Sequence, residues 1–334
     1  MNQPLSGQEV RLAARPHGEP TPADFELTTA PVPVPKAGQV LVRNTWISVD
    51  PYMRGRMDEV TGGLPPFRIG EVMDGGALGE VIASEADGIP VGATVSHFLG
   101  WREYAVVDAA DALVVDTTVA PPESYLGVLG VTGLTAYAAL TRIVQVREGD
   151  IVFVSAAAGA VGSVAGQVAK QLGAARVIGS AGGPLKAKKL IEDFGFDVAL
   201  DYWAGDLAGQ LRAAAPDGLD VYLDNVGGDH LRAAIDNLRP HGRAALIGSV
   251  SGYNTAVPAP DNLLDVVYKS LTLRGIQVTD HFDLLGEYVG RAVRWLADGR
   301  LRAESTVVDG LAEAPGALIG VLRGANTGKM LVRI

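Results

Sequence analysis

The chain has no cysteine among its 334 residues. That excludes disulfides, thiolate nucleophiles and cysteine-ligated zinc, and it fits a reducing cytoplasm. Positive charge is scarce: 28 Lys and Arg against 38 Asp and Glu give a net charge of −10. Nothing in that balance favours nucleic acid or an anionic membrane surface as a partner. Histidine occurs only at positions 17, 97, 230, 241 and 281, so no metal constellation stands out and no metal site is expected. No apolar run is long enough to span a bilayer. The opening MNQPLSGQEVRLAARP does not read as a signal peptide, and the G-x-S-x-G elbow of serine hydrolases does not occur. A soluble cytoplasmic protein is the expectation.

What is present is globular: 48% hydrophobic and 20% charged residues, on a length that suggests two domains. The most informative stretch is DIVFVSAAAGAVGSVAGQVAKQL, residues 150–172. Ile151 to Val154 form an unbroken strand-forming run of the kind buried on both faces of a sheet. Small residues follow from Ser155 to Gly162, and then Val161, Val164, Ala165, Val168, Ala169 and Leu172 recur at helical spacing. Strand, tight turn and helix in this order make a dinucleotide site, because the turn lets backbone N–H groups and the helix dipole approach a pyrophosphate. The pattern Ala156-x-x-Gly159-x-x-Gly162 is a variant of that fingerprint; alone, it also fits a packed corner that binds nothing.

Residues 1 to about 120 read as all-β. Short alternating runs at Gln39–Ile47, Gly79–Ala83, Thr94–Phe98, Tyr104–Val107 and Leu113–Val115 suggest a small barrel. DPYMRGRM (50–57) looks like an insert after a strand. Residues 123–143 read as a helical connection interrupted by Gly130 and Gly133. Beyond residue 150, strands at Arg176–Gly179, Val198–Leu200, Asp220–Asp224, Arg243–Ile247 and Leu271–Gly275 alternate with helices at 186–193, 206–214, 230–238, 262–269 and 283–298. Such alternation predicts a doubly wound α/β fold. Residues 300–334 turn β-like again.

An acidic residue about 20 positions beyond the glycine turn commonly holds the ribose 2′-hydroxyl of NAD. Here the second strand ends Val177-Ile178-Gly179-Ser180 and is followed by Lys186, Lys188 and Lys189. A hydroxyl and an ammonium suit a 2′-phosphate, so NADPH is expected, with Lys186 as its ligand. Lys188 and Lys189 read as a solvated helix face. Hydride transfer needs positioning and stabilisation of developing charge rather than a metal or a nucleophile. Tyr52 and Tyr253 are the candidate donors, and local sequence alone leaves packing as an equal alternative for each.

Taken together, the segments SVDPYMRGRM (48–57), TGLTAY (132–137), AAAGAVGS (156–163), GFDVALDY (195–202), DVYLDNVGG (220–228), GSVSGYN (248–254) and NTGKMLV (326–332) resemble the medium-chain dehydrogenase/reductase superfamily. More narrowly, they resemble its zinc-free prostaglandin reductase and 2-alkenal reductase branch. The resemblance implies a GroES-like β-barrel catalytic domain at 1–125, completed by 301–334, and a Rossmann domain at 126–300. It implies NADPH-dependent reduction of the C=C bond of α,β-unsaturated aldehydes and ketones, with hydride to the β-carbon and protonation of the enolate at the α-carbon. Tyr253 would stabilise the enolate beside the nicotinamide ribose, Gly248 would be among the cofactor-binding residues, and Tyr52 would line the substrate pocket. Ala158, Gly159, Ala160, Val161 and Gly162 would cradle the pyrophosphate. Ser180, Lys186 and Tyr202 would surround the 2′-phosphate, Asn225 would meet the adenine-side ribose, and Thr132 and Asn326 would lie near the nicotinamide. A homodimer is implied as well. One departure stands out: relatives commonly carry acidic residues just before the matching lysine, whereas this chain has GGPLK (182–186). A quinone reductase of the same superfamily and a non-catalytic NADPH-binding protein are the competing readings.

Overall fold

A computed structural model describes residues 5–60 and 63–334. The chain divides into two compact units, residues 1–126 with 305–334, and residues 127–304.

The first unit opens with an antiparallel hairpin, β1 (Ser6–Leu12) and β2 (Phe25–Pro31). β3 (Gln39–Ser48) follows and leads through Asp50 and Pro51 into the short helix α1 (Tyr52–Arg56). The stretch DPYMRGRM is thus a helical turn rather than an irregular insert, with Met53, Arg54 and Arg56 buried. β4 (Ala77–Ser84), β5 (Thr94–His97), β6 (Tyr104–Asp108) and β7 (Leu113–Val114) then build an antiparallel sheet on β3. Alternation along β3 buries Val40 and Val42 against Val81, Val95, Ala105 and Val107, the pattern of strands with one face in a core.

The second unit begins with α2 (Val131–Ala138). The helical connection is shorter than its sequence suggests, because Gly130 is its extended N-terminal cap and Gly133 lies inside the helix. A Cβ on Gly133 would meet Val128 O at 2.0 Å and Tyr288 Oη at 2.3 Å. Then come β8 (Ile151–Val154), α3 (Ala160–Gln171), β9 (Arg176–Ala181), α4 (Pro184–Glu192), β10 (Val198–Asp201), α5 (Leu207–Ala214), β11 (Leu219–Asp224), α6 (Gly228–Asn237), β12 (Leu238–Leu246), α7 (Leu264–Tyr268), β13 (Thr272–Gly275) and α8 (Leu285–Ala297). The six strands pair in parallel in the order β10-β9-β8-β11-β12-β13. Val152, Phe153 and Val154 are wholly buried, as a central strand covered on both faces requires. This is the doubly wound Rossmann fold.

The chain then returns to the first unit. β14 (Ser305–Asp309) and β15 (Lys329–Arg333) pair in parallel, and β15 runs antiparallel to β3. Between them lies α9 (Ala314–Leu322), a helix that the β-like reading of residues 300–334 does not contain. Its mostly apolar sequence, APGALIGVL, carries no amphipathic signal, yet five of its nine residues are buried.

Candidate functional site

In the Rossmann unit, β8 connects through α3 to β9 on one side, while its other neighbour β11 connects through α6 to β12 on the opposite side. The connections diverge at the carboxyl ends of β8 and β11, and a crevice there is where doubly wound folds take ligands. Ala158 to Gly162, Ser180, Asn225 and Gly248 all lie just beyond or at the carboxyl ends of these neighbouring strands.

The turn after β8 folds tightly. Ala156 adopts φ +46°, Gly159 N–H donates to Ala156 O at 2.9 Å, and Ala157 N–H donates to Ser180 O at 2.8 Å. A Cβ on Gly162 would come within 2.3 Å of Ala156 O and 2.7 Å of Ala157 Cα, so only glycine lets α3 pack this closely on its own turn. The cap of α3 is Gly159, which offers no side-chain hydrogen bond. The first-turn N–H groups have no intrahelical acceptor, and the uncapped end suits a phosphate anion.

On the β9–α4 connection, Ser180 is fully buried and its Oγ has no hydrogen-bond partner among the described residues. α4 starts at Pro184, the favoured first-turn residue, which places Lys186 third in the helix rather than first. Lys186 is half-buried, and that burial lowers its ammonium pKa from the usual lysine value. Tyr202 follows β10; partial burial raises its phenol, and a Cβ on Gly182 would meet its Oη at 2.8 Å.

A polar network ties the ends of β8 and β11 together. The Asp224 carboxylate accepts from Tyr222 Oη at 2.6 Å, Gly227 N–H at 2.8 Å and Val226 N–H at 2.9 Å. Burial raises its pKa while these bonds oppose the rise. Asn225 donates from its backbone to Ser155 Oγ at 2.9 Å and from Nδ2 to Ser155 O at 2.8 Å. After β12, Tyr253 is half-buried, with its hydroxyl 3.3 Å from where a Gly248 Cβ would stand. Burial raises its phenol above the ordinary tyrosine value, opposed by the Ser249 backbone N–H. It therefore stays protonated through neutral pH, a donor poised for an anion. Thr132, in the first turn of α2, donates to Gly127 O at 2.8 Å.

Tyr52 and Asn326 belong to the other unit. Tyr52 opens α1 with a buried hydroxyl that has no well-formed partner; burial and the nearby Asp50 raise its phenol strongly. Asn326 Nδ2 donates to Gly328 O at 2.7 Å. Among the described residues no group of three His, Cys, Asp or Glu side chains comes together as a metal site, and no helix is long and apolar enough to cross a membrane. Local sequence carried no signal for two further groups, His230 and Trp203. Among the described residues, His230 and Asn254, the last residue of GSVSGYN, each carry a buried polar atom without a hydrogen-bond partner, and Trp203 covers the Gly182–Gly183 backbone.

Comparison with known proteins adds to this geometry. A family model described as the N-terminal domain of oxidoreductase matches residues 8–115, and one described as zinc-binding dehydrogenase matches residues 160–297. The chain is 38% identical to the NADPH-dependent curcumin reductase of Escherichia coli, over 97% of this chain and 95% of that protein. It is 35% identical to the NADP(+)-dependent 2-alkenal reductase of Nicotiana tabacum, over 100% and 99%. The crystal structure of CurA from Vibrio vulnificus in complex with NADPH superposes with a TM-score of 0.92 at 39% identity, covering 98% of each chain.

Proposed function

The chain belongs to the zinc-free medium-chain dehydrogenase/reductase family, and from that premise we propose that it is an NADPH-dependent reductase of the C=C bond of α,β-unsaturated aldehydes and ketones. The observation that carries the cofactor is the pairing of an uncapped glycine turn with a second strand that ends in a buried serine instead of an acid. The unpartnered Ser180 Oγ is the kind of orphan group that a ligand phosphate satisfies. The residues present therefore fit NADPH. Ala158 to Gly162 hold its pyrophosphate, Ser180, Lys186 and Tyr202 its 2′-phosphate, and Asn225 its adenine-side ribose. Gly248 leaves room beside Tyr253, while Thr132 and Asn326 meet the nicotinamide end.

NADPH held by these residues would supply the hydride for the β-carbon of the enone. The charge that develops on the carbonyl oxygen needs a donor, and Tyr253, kept protonated by burial, meets that need by hydrogen bonding to the enolate. Tyr52 lines the substrate side, its hydroxyl buried near Asp50 and Arg56. The α-carbon then receives a proton. Two relatives whose names specify curcumin and 2-alkenals, both with C=C conjugated to a carbonyl, support the substrate class. A homodimer and a cytoplasmic location complete this reading, the first testable by light scattering.

The deciding measurement follows loss of reduced-nicotinamide absorbance with a 2-alkenal, an enone and a quinone in parallel, using NADPH and then NADH. Turnover of the alkenal or enone with NADPH is expected. Turnover of the quinone alone would hand the function to a quinone reductase. Tyr253→Phe should lower kcat by about 100-fold, the scale for one donor to a developing oxyanion, while NADPH affinity stays within about twofold; an unchanged kcat would reduce Tyr253 to packing.

A further inference from the structure

The glycine pair before Lys186 is explained by an aromatic ring. A Cβ on Gly182 would meet Trp203 Cε2 at 2.9 Å and Cζ2 at 3.0 Å, and one on Gly183 would meet Cζ3 at 2.8 Å and Cε3 at 3.0 Å. Opposite edges of the six-membered ring thus sit over consecutive glycines, so the indole is laid across the loop backbone. Gly183 also holds φ +85°, a conformation that disfavours any side chain. The space a side chain would take here is filled by a ring that arrives from the turn after β10.

Asp201 fixes that arrangement. Its Oδ1 accepts from Gly183 N–H at 2.8 Å and from Trp203 N–H at 3.0 Å, tying the start of α4 to the turn after β10. Gln210 Nε2 reinforces the turn by donating to Asp201 O at 3.0 Å and Gly205 O at 2.6 Å. The Asp201 carboxylate, an acid at the end of a Rossmann strand, is thereby engaged by main-chain donors instead of standing open to a ribose hydroxyl. Trp203 itself remains 68% exposed, so one part of the ring covers the loop while the rest faces outward from the connection that carries Ser180 and Lys186.

We propose that Trp203, clamped over Gly182–Gly183 by Asp201, is a specificity-determining residue for the 2′-phosphate end of the cofactor. The ring offers no acceptor to a free 2′-hydroxyl, and it holds the first turn of α4, and with it Lys186, in the position that receives an adenosine 2′-phosphate. The half-buried lysine ammonium, disfavoured by its surroundings, regains stabilisation when the phosphate arrives. This inference rests on the NADPH reading above and adds to it a residue and a clamp built on the GGPLK loop.

Calorimetric titration of the full chain with 2′,5′-ADP and with 5′-ADP tests it without recourse to turnover. Trp203→Ala should weaken 2′,5′-ADP by about 10-fold and 5′-ADP by less than about twofold. Trp203→Phe, which keeps an aromatic ring, should restore most of the discrimination, and Asp201→Asn should lose part of it. Equal weakening of both nucleotides by Trp203→Ala, or no weakening of either, overturns the proposal. Lys186→Ala serves as the reference. If it abolishes the preference for 2′,5′-ADP while Trp203→Ala does not, the clamp fails and the NADPH reading stands. If neither variant alters the preference, the 2′-phosphate site itself is misplaced. Trp203 is mostly exposed, so its replacement leaves the core intact, and circular dichroism checks that each variant is folded.

Discussion

At Lys186 one ammonium is the proposed discriminator between two cofactors. Lys186→Ala should weaken NADPH binding by about 1–3 kcal/mol, the range for a hydrogen bond to a charged group, and leave NADH binding nearly unchanged by the same titration. Gly162 sets a different kind of limit. A methyl there would overlap Ala156 O and Ala157 Cα, both backbone atoms that yield only if the turn moves. Gly162→Ala should cost about 1–3 kcal/mol of stability, the scale of overpacking, read from urea denaturation, and should weaken nucleotide binding along with it. Both residues were singled out from the sequence, because a glycine turn and a lysine after an acid-free strand are local signals, and the structure shows the tight turn at Gly162. Trp203 and His230 were not. Their significance comes from a ring crossing to another connection, and from a buried Nε2 left without a partner among the described residues; neither leaves a mark on its own stretch of chain.

Among the elements, α1 shows how a five-residue helix is made rigid. It is too short to persist on its own, and its residues reach out to neighbouring loops instead. Arg54 donates through Nε and Nη2 to Gly18 O at 3.1 and 2.9 Å. Arg56 forms a bidentate pair with Asp74, donates to Pro65 O at 2.8 Å and lies 4.0 Å from the Phe67 ring centroid. At the entrance, Asp50 accepts from Ser48 Oγ and, at 2.5 Å, from Lys329 Nζ, which also donates to Val49 O at 3.0 Å. Lys329 is only 3% exposed, so its ammonium depends on these partners. Lys329→Met should destabilise the protein by about 3–5 kcal/mol, because it strands the Asp50 carboxylate, and the double variant Lys329→Met with Asp50→Leu should recover much of that in denaturation experiments. The strands and helices of the Rossmann unit were readable from periodicity. α1, with its buried arginines, and α9, apolar nearly all round, were not, since both are defined by what they pack against. β1 and β2 were missed for the same reason: β2 alternates only weakly between exposed and half-buried positions.

Across the whole molecule, two buried imidazoles set the response to acid. Burial pulls His97 and His230 down to about 4 from 6.5; His97 Nε2 lies 2.9 Å from Asn44 Oδ1, and its Nδ1 accepts from Leu99 N–H at 3.1 Å. The unfolded chain therefore binds more protons than the folded one in this window. Stability is complete above about pH 6.5 and falls as the pH drops towards 4, by roughly 2 kcal/mol per ring at about pH 5. Urea midpoints at about pH 7 and pH 5 should show the loss, and His97→Gln should remove one share of the pH dependence; midpoints that do not move would mean the rings protonate in the folded state. One feature of the topology reaches further. β15 completes its sheet by pairing Leu331, Val332 and Arg333 with Ser48, Ile47 and Trp46, across an interval that contains the whole of residues 127–304. On the ribosome, the Rossmann unit emerges uninterrupted and can condense as it appears, while the Trp46–Ser48 end of β3, beyond the Gln39–Arg43 stretch that β6 pairs, waits without its partner strand. That short end of β3 is an open strand edge until residues 329–333 follow it out, a place where the nascent chain needs shelter from other chains.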